Sequence, residues 1–187
     1  MKAVYEREFK CLIKESEYNR IVKYITWNRH IVQTNYYYDT CDYSFFSKGY
    51  TCRIRVVEDE IEIQIKEPNI SKNQLYKKRK EQSLSLETYP NMEIIEIYFN
   101  AAPLTLLGSL TTERYTYQYD ENIIIFVDKN YYLDKVDYEL EIEFKENRDI
   151  KKVKKILNED LTISEINKDC KGKYTRFIFR YLELKGQ

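Results

Sequence analysis

The sequence contains few of the side chains that serve most enzymes as nucleophile or base. His30 is the only histidine in 187 residues, and no Ser or Cys stands in the sharp-turn context of a catalytic nucleophile. Cys11, Cys41, Cys52 and Cys170 form no Cys-x-x-Cys pair and have no histidine at metal-ligand spacing. We therefore expect reduced, packed thiols and neither a zinc site nor a nucleophilic triad.

Glycine and proline are also scarce, with 4 and 3 residues. No stretch rich in Pro, Gly or Ser divides the chain, so residues 1–187 are predicted to form a single domain. The N-terminus lacks the apolar run of a signal peptide, and no run of about 18 apolar residues indicates a membrane span. These absences predict a cytoplasmic protein without membrane contact.

The chain has no net charge, because 31 basic and 31 acidic side chains cancel. This balance argues against a general polyanion binder and predicts no nucleic-acid partner, so any anion site must be local. Tyrosine, in contrast, is abundant at 19 residues. Together with many Ile and Val residues, it favours strands with half-buried faces.

Alternating polar and apolar residues predict most of the secondary structure. Strands are predicted at 3–13, 33–40, 50–58, 60–67, 112–119, 122–129 and 136–145, and helices at 16–27, 91–100, 149–159 and 171–184. The charged segment 69–83 is weakly patterned and is predicted to be an edge strand or a mobile ribbon, where the run from Lys77 to Glu81 is typical of a solvated face. About eight strands and four helices indicate an α+β domain.

Polar side chains occupy alternate positions in the predicted strands. Glu139, Glu141 and Glu143 share one face of the last strand, where neighbours about 6.6 Å apart repel unless water or cations screen them. Arg53 and Arg55 share a face of 50–58. A solvent-exposed sheet face explains such alternation on any single strand. If the strands close into a barrel with helices outside, however, the polar faces line its interior.

A charged interior requires a bound ligand, because buried charges without partners lower the stability of the folded protein. A polyphosphate bridged by Mg²⁺ or Mn²⁺ fits both signs of charge, since Arg and Lys bind phosphate oxygens and carboxylates are hard metal ligands. The basic candidates are Lys10, Arg53, Arg55, Lys66 and Arg114, and the acidic candidates are Glu6, Glu8, Asp128, Glu139, Glu141 and Glu143. Phosphoryl transfer of this kind requires no histidine or serine.

Several short motifs follow one another along the chain. They are Glu6-Arg7-Glu8-Phe9-Lys10, Tyr37-Tyr38-Asp39-Thr40, Lys48 to Arg55, Lys66, Thr112-Glu113-Arg114, Asp128, and Asp137 to Glu143. The first resembles the Glu-x-Glu-x-Lys signature of the CYTH superfamily, the triphosphate tunnel metalloenzymes, and the others occur in the order of that family. The resemblance spans nearly the whole chain.

The resemblance implies an eight-stranded antiparallel closed β-barrel, a tunnel with the triphosphate along its axis and helices packed outside. It implies that Glu6, Glu8, Glu141 and Glu143 bind metal, with Glu139 and Asp128 as further ligands. It implies that phosphate is bound by Lys10, Arg53, Arg55, Lys66 and Arg114. The catalytic set is Glu6, Glu8, Lys10, Glu141 and Glu143.

Two further parts of the site lie outside these strands. Lys77, Arg79 and Glu81 are candidates for a further basic and acidic pair, and we assign Arg79 and Glu81, although a one-residue slip of that strand would reverse every side chain. Lys173 is predicted to close one tunnel mouth and bind substrate, with a solvated helix residue as the alternative.

The resemblance predicts hydrolysis of the terminal phosphoanhydride, with inorganic tripolyphosphate as the first choice of substrate. Thiamine triphosphate or a nucleoside triphosphate is the second choice, and an adenylate cyclase is the third, because no sequence feature specifies an adenine pocket. A non-catalytic polyphosphate or nucleotide sensor remains an alternative from another class, although the carboxylates argue against a simple anion trap. Both a monomer and a homodimer are compatible with the sequence.

Overall fold

The computed structural model describes residues 2–72, 76–146, 149–163 and 170–186. Within these ranges it contains eight strands and five α-helices. In chain order they are β1 (Lys2–Ile13), α1 (Glu15–Tyr24), β2 (Arg29–Asp39), α2 (Ser44–Ser47), β3 (Thr51–Val57), β4 (Glu60–Lys66), β5 (Lys77–Leu86), α3 (Met92–Phe99), β6 (Thr105–Gln118), β7 (Ile123–Tyr132), β8 (Lys135–Phe144), α4 (Ile150–Lys155), which continues as a π-helical turn over Ile156–Asp160, and α5 (Lys173–Lys185).

The eight strands form one closed barrel in the order β1-β5-β4-β3-β2-β6-β7-β8, and β8 pairs again with β1. Every neighbouring pair is antiparallel. The predicted fold, an eight-stranded antiparallel closed barrel with helices, is therefore confirmed. Because the barrel is closed, each strand has one face toward the interior and one toward the outside.

The two faces of β1 show how the sequence decides which side is inside. Glu6 and Glu8 line the interior cavity. Phe9 and Cys11, on the opposite face, are buried in an apolar cluster outside the barrel that includes Ile21 of α1. The alternation of charged and apolar residues follows the two-residue period of a strand, so helix packing outside fixes the charged face inside.

Helix α5 packs into one end of the barrel. Phe177 and Ile178 are fully buried and cluster with Tyr37 of β2 and Leu110 of β6. Gly108 has φ +143, and a Cβ at this position would lie 3.1 Å from Cζ of Phe177. Glycine at position 108 therefore permits both this backbone conformation and the close approach of α5. As a result, α5 covers this end of the interior.

Several elements differ from the prediction, among them β2, which begins at Arg29 and not at 33, and α1, which ends at Tyr24 and not at 27. Strand β6 begins at Thr105 and not at 112, because Gly108 and the register shift opposite Tyr37 and Tyr38 interrupt the alternation there. The segment 69–83, predicted to be an edge strand or a mobile ribbon, contains β5 (Lys77–Leu86), and its residues 73–75 lie outside the described residues. The edge-strand prediction is wrong, because β5 pairs with β1 on one side and β4 on the other in the closed barrel. The short helix α2 was not predicted. In the parts of the chain that the structure describes, none of the helices has the length and apolarity needed to cross a membrane.

Candidate active site

The barrel interior holds a cavity lined by side chains from β1 to β6, from β8 and from the start of α5. The space free of protein atoms is about 660 Å³, open solvent at its mouth included. Its lining consists of Glu6, Glu8, Lys10, Gln33, Tyr37, Thr51, Arg53, Arg55, Lys66, Arg79, Glu81, Arg114, Glu141, Glu143, Gly172, Lys173, Tyr174 and Thr175. The structure thus brings together all the residues predicted to be catalytic or substrate-binding. Among the predicted metal ligands, Asp128 and Glu139 are not part of the lining.

Two carboxylates of the first and last strands share one lysine. Lys10 Nζ lies 3.1 Å from Glu8 Oε2 and 2.9 Å from Glu141 Oε1. Burial raises the pKa of Glu8, but the charges of Lys10 and Lys66 outweigh it and bring that pKa down to about 2. Burial likewise opposes ionisation of Glu141, and Lys10 and its other cationic neighbours hold the pKa of Glu141 well below its usual range. Both groups are therefore charged at neutral pH.

Glu143 behaves differently from its neighbours. Burial raises its pKa, and the carboxylates of Glu6 and Glu141 raise it further, to about 7. Arg114 pairs with Glu141 at 2.5 Å, and within the described residues Glu143 itself has no ion pair. A carboxyl group with neighbours of like charge and no ion-paired cation is a place where a bound cation would be stabilised.

The acidic residues of β1 and β5 hold basic residues of β3 and β4. Lys66 Nζ lies 2.5 Å from Glu6 Oε2 and 3.5 Å from Glu81 Oε2. Arg53 Nη2 lies 3.1 Å from the same Glu81 oxygen. Glu6 pairs with Arg79, and Lys66 with Glu81, in the strand register. The register therefore places Arg79 and Glu81 on the interior face and removes the ambiguity of a one-residue slip.

Two arginines on the lining have no carboxylate partner among the described residues. Arg55 donates from Nε to Asn35 Oδ1 at 3.1 Å. Burial lowers the pKa of Arg55 to about 10, and the charges of Arg53 and Arg114 contribute to the shift. Arg79 Nε is buried without a hydrogen-bond partner. Both guanidinium groups would gain from a bound anion.

Asp128 and Glu139 are fully buried behind the lining. Asp128 accepts two hydrogen bonds from Arg114, at 2.8 Å from Nε and 2.6 Å from Nη2. Lys173 Nζ lies 2.8 Å from Asp128 Oδ2 and 2.9 Å from Glu139 Oε1. As placed, the two carboxylates orient the cations of Arg114 and Lys173 toward the cavity. That they also bind metal stays a prediction.

Lys173 is not a solvated helix residue. Its side chain is 10% exposed, and Nζ lies 3.0 Å from Glu141 Oε1. It stands at the first position of α5, where the helix covers the end of the barrel. The alternative of a solvated residue is therefore wrong, and the ammonium group belongs to the cavity.

The acidic residues fit a divalent cation by their chemistry, without a preassembled set of ligands. In the described ranges, no three Asp, Glu, His or Cys side chains are grouped so that they could hold a metal ion. Three of the four lining carboxylates predicted to bind metal are instead paired with basic groups: Glu6 with Lys66, Glu8 with Lys10, and Glu141 with Lys10 and Arg114. A divalent cation bound beside Glu143 would compete with Lys10, Lys66 and Arg114 for these carboxylates. Hard carboxylate oxygens are the ligands that Mg²⁺ and Mn²⁺ prefer.

Sequence reasoning assigned no role to Asp39, which is fully buried. Its carboxylate accepts hydrogen bonds from the backbone N–H groups of Phe45 at 3.0 Å and Phe46 at 2.9 Å, and from the hydroxyl of Tyr174 at 2.8 Å. Asp39 therefore ties α2 and α5 to the end of β2. Gln33, Asn35 and Asp39 share one face of β2 with Tyr37. The two-residue spacing of these polar residues is a signal that could have placed all four side chains inside the barrel.

Comparison with known proteins supports the family resemblance that the sequence motifs indicate. A family model of the CYTH domain matches residues 5–172. A candidate adenylate cyclase from Bacillus halodurans is 23% identical, with 95% of this chain and 99% of that chain covered and a TM-score of 0.74. A candidate adenylyl cyclase from Hippeastrum, described as having a dominant triphosphatase activity, is 17% identical, with coverages of 93% and 95% and a TM-score of 0.75. The Mimivirus capping enzyme triphosphatase is 14% identical, with coverages of 87% and 90% and a TM-score of 0.54.

At these identities the solved structures show a shared fold. No curated protein matches the chain by sequence. The family model, in contrast, matches most of the chain and includes all the lining carboxylates, on β1, β5 and β8. Motifs, barrel topology and family match agree, and the chain belongs to the CYTH domain family.

Proposed function

We propose that the chain hydrolyses the terminal phosphoanhydride bond of a linear triphosphate, with inorganic tripolyphosphate as substrate and Mg²⁺ or Mn²⁺ as cofactor. One observation carries the proposal: among the described residues, a single barrel interior contains two arginines without a carboxylate partner, Arg55 and Arg79, and a carboxyl group without an ion pair, Glu143. A polyphosphate with a bound divalent cation supplies a partner to each of them.

The basic residues of the lining would bind the phosphate oxygens. They are Lys10, Arg53, Arg55, Lys66, Arg79, Arg114 and Lys173. Arg114 and Arg55 are already oriented by Asp128 and Asn35, so little reorganisation is required when the anion binds. Glu6, Glu8, Glu141 and Glu143 would hold the metal, which when bound neutralises charge on the phosphate oxygens.

In the reaction, the oxygen of a water molecule forms a bond to the terminal phosphorus. The bond from that phosphorus to the bridging oxygen breaks, and its electron pair stays on the oxygen of the pyrophosphate product. The two hydrogens of the water remain on orthophosphate. Lys10 and Arg114 are held in place by buried carboxylates and can neutralise the charge that develops on the phosphoryl oxygens.

Orthophosphate release tests this proposal. Tripolyphosphate, thiamine triphosphate and ATP are each supplied with Mg²⁺ or Mn²⁺ to the wild type, to Glu141→Gln and to Glu113→Gln. Glu113 is a matched control, since it carries a carboxylate on the opposite face of β6 and contacts His30 at 3.1 Å. We expect turnover of tripolyphosphate, a loss of roughly 100-fold in Glu141→Gln, and little change in Glu113→Gln.

Other results would identify another function. Faster turnover of thiamine triphosphate or ATP would retain a triphosphatase and change the substrate. Cyclic AMP and pyrophosphate as the products from ATP would indicate a cyclase. Binding of tripolyphosphate without turnover of any of the three compounds would indicate a sensor and would contradict the proposed hydrolysis.

A further inference from the structure

Tyr37 has a buried hydroxyl group without a partner. The residue lies in β2, its side chain is 0% exposed and it lines the cavity. Its Oη forms no hydrogen bond with any group in the described ranges. The hydroxyl of the next residue, Tyr38, is bonded to that of Tyr89 at 2.9 Å. Because buried polar groups are nearly always hydrogen-bonded, the free Tyr37 hydroxyl requires an explanation.

The ring of Tyr37 is held in place by helix α5. Its centroid lies 4.8 Å from that of Tyr174 and 5.0 Å from that of Phe177. Its cross-strand neighbours are Arg53 of β3 and Gly108 of β6. Because the ring of Tyr37 packs against two aromatic residues of α5, its hydroxyl stays at the α5 end of the cavity.

Basic side chains share the cavity with this hydroxyl: Arg53 is the cross-strand neighbour of Tyr37, and Arg55 and Lys173 line the same cavity. Burial raises the pKa of Tyr37, and the charges of Arg53, Lys173 and Arg55 oppose the shift. The phenol therefore keeps its proton at neutral pH and acts as a hydrogen-bond donor. A neutral donor among three cations matches the needs of a phosphate group, which offers several acceptor oxygens and a negative charge.

The two ends of the cavity differ. At the α5 end, Lys173 contacts Asp128 at 2.8 Å and the Tyr174 hydroxyl contacts Asp39 at 2.8 Å, so the helix is fastened over the barrel. At the other end, Glu6 and Glu143 also line a second cavity, with about 970 Å³ free of protein atoms, open solvent included. Among the residues that the structure describes, a substituent on the substrate therefore finds room at the Glu143 end and not at the α5 end.

We propose that the Tyr37 hydroxyl donates a hydrogen bond to the unsubstituted terminal phosphate of the substrate, which enters the barrel with this phosphate toward α5. The inference rests on the proposed triphosphate substrate and adds a binding residue and a direction to it. Inorganic tripolyphosphate and triphosphates with one organic substituent satisfy it. A triphosphate substituted at both ends does not.

The test compares Tyr37→Phe with the matched variant Tyr38→Phe. Calorimetry measures tripolyphosphate binding to each protein in chelator, where the proposed metal-dependent hydrolysis does not proceed, and thermal unfolding is followed without ligand. We expect Tyr37→Phe to bind at least about tenfold more weakly, because a hydrogen bond to a charged group is lost. Its unfolding temperature without ligand should not fall, because the hydroxyl has no partner there. Tyr38→Phe should bind like the wild type.

A dissociation constant of Tyr37→Phe within twofold of the wild type would overturn the proposal. Binding is measured without turnover, so a wild type that binds but does not hydrolyse would refute the proposed function alone. The direction is tested with ATP and a dinucleoside triphosphate. We expect the dinucleoside compound to bind the wild type at least about tenfold more weakly than ATP, and equal binding would overturn the direction.

Discussion

Glu8 and Glu143 face each other directly across the β1–β8 ladder. Carboxylates at opposed positions repel, and of the two only Glu8 forms an ion pair within the described residues, with Lys10 at 3.1 Å. Lys10 and Lys66 bring the pKa of Glu8 down to about 2 against the effect of burial, whereas burial and the carboxylates of Glu6 and Glu141 raise the pKa of Glu143 to about 7. The barrel thus retains a buried carboxyl group whose ionisation lowers its stability, which is typical of a functional site.

Replacing Glu143 should stabilise the metal-free protein in a pH-dependent way. The unfolded carboxyl group loses its proton near 4.5, whereas the folded group keeps it up to about 7. Between these values the folded state binds more protons, so the stability contributed by this group falls as the pH rises and stays low above 7. Glu143→Gln should be more stable than the wild type at pH 8, by roughly 3 kcal/mol at most, and equally stable below pH 4.5.

Urea unfolding in chelator across this pH range checks the prediction. Glu113→Gln, on the outer face, serves as the control: it keeps Glu143, so its stability should fall with pH as that of the wild type does. With Mg²⁺ added, the wild type and Glu113→Gln should gain substantial stability and Glu143→Gln should not, because ligand binding to the folded state stabilises it. A Glu143→Gln variant that is less stable than the wild type at pH 8 in chelator would contradict the account.

Arg55 should contribute to phosphate binding and little to stability. Its guanidinium is buried, has no carboxylate partner among the described residues, and has its pKa lowered to about 10 by burial and by neighbouring charges. We expect Arg55→Met to unfold at nearly the wild-type temperature and to bind tripolyphosphate roughly 10- to 100-fold more weakly. The stabilisation by added tripolyphosphate measures this effect, with Arg29→Met, at the exposed start of β2, as the control. Equal stabilisation of Arg55→Met and wild type would show that Arg55 does not bind phosphate.

The Tyr174 hydroxyl should stabilise the packing of α5 on the barrel. Its hydroxyl donates to buried Asp39 at 2.8 Å, so Tyr174→Phe should lower the free energy of unfolding by about 1–2 kcal/mol. Amide exchange in Lys173–Lys185 should become faster than in the wild type. Tyr181→Phe, on the same helix, is the control. Unchanged exchange throughout α5 in Tyr174→Phe would refute this role.

The sequence predicted the barrel where alternation is regular. In β1, β3 and β8 charged residues alternate with apolar ones, and this pattern alone assigns Glu8, Arg53 and Glu141 to the polar face of each strand. The prediction holds because a closed barrel converts a two-residue period into an inside and an outside.

The remaining features depend on tertiary contacts. The start of β6 contains Gly108, which the sequence does not distinguish from a turn glycine until Phe177 is seen beside it. Tyr36, Tyr37 and Tyr38 are chemically alike, so within this run only the spacing from Gln33 and Asn35 indicates which tyrosine points inward, and the structure places Tyr37 on the cavity lining. Helix α2 depends on Asp39, whose acceptor role becomes visible once the chain has folded back over it.

Hydrolysis of tripolyphosphate in ¹⁸O-labelled water, with Mg²⁺ or Mn²⁺ and again with chelator, decides whether the barrel is a metal-dependent triphosphatase. We expect one labelled oxygen in orthophosphate, none in pyrophosphate, and no turnover without metal, because in the proposed reaction water attacks the terminal phosphorus at a site that requires a divalent cation. Label in pyrophosphate, undiminished turnover in chelator, or no hydrolysis under either condition would contradict it.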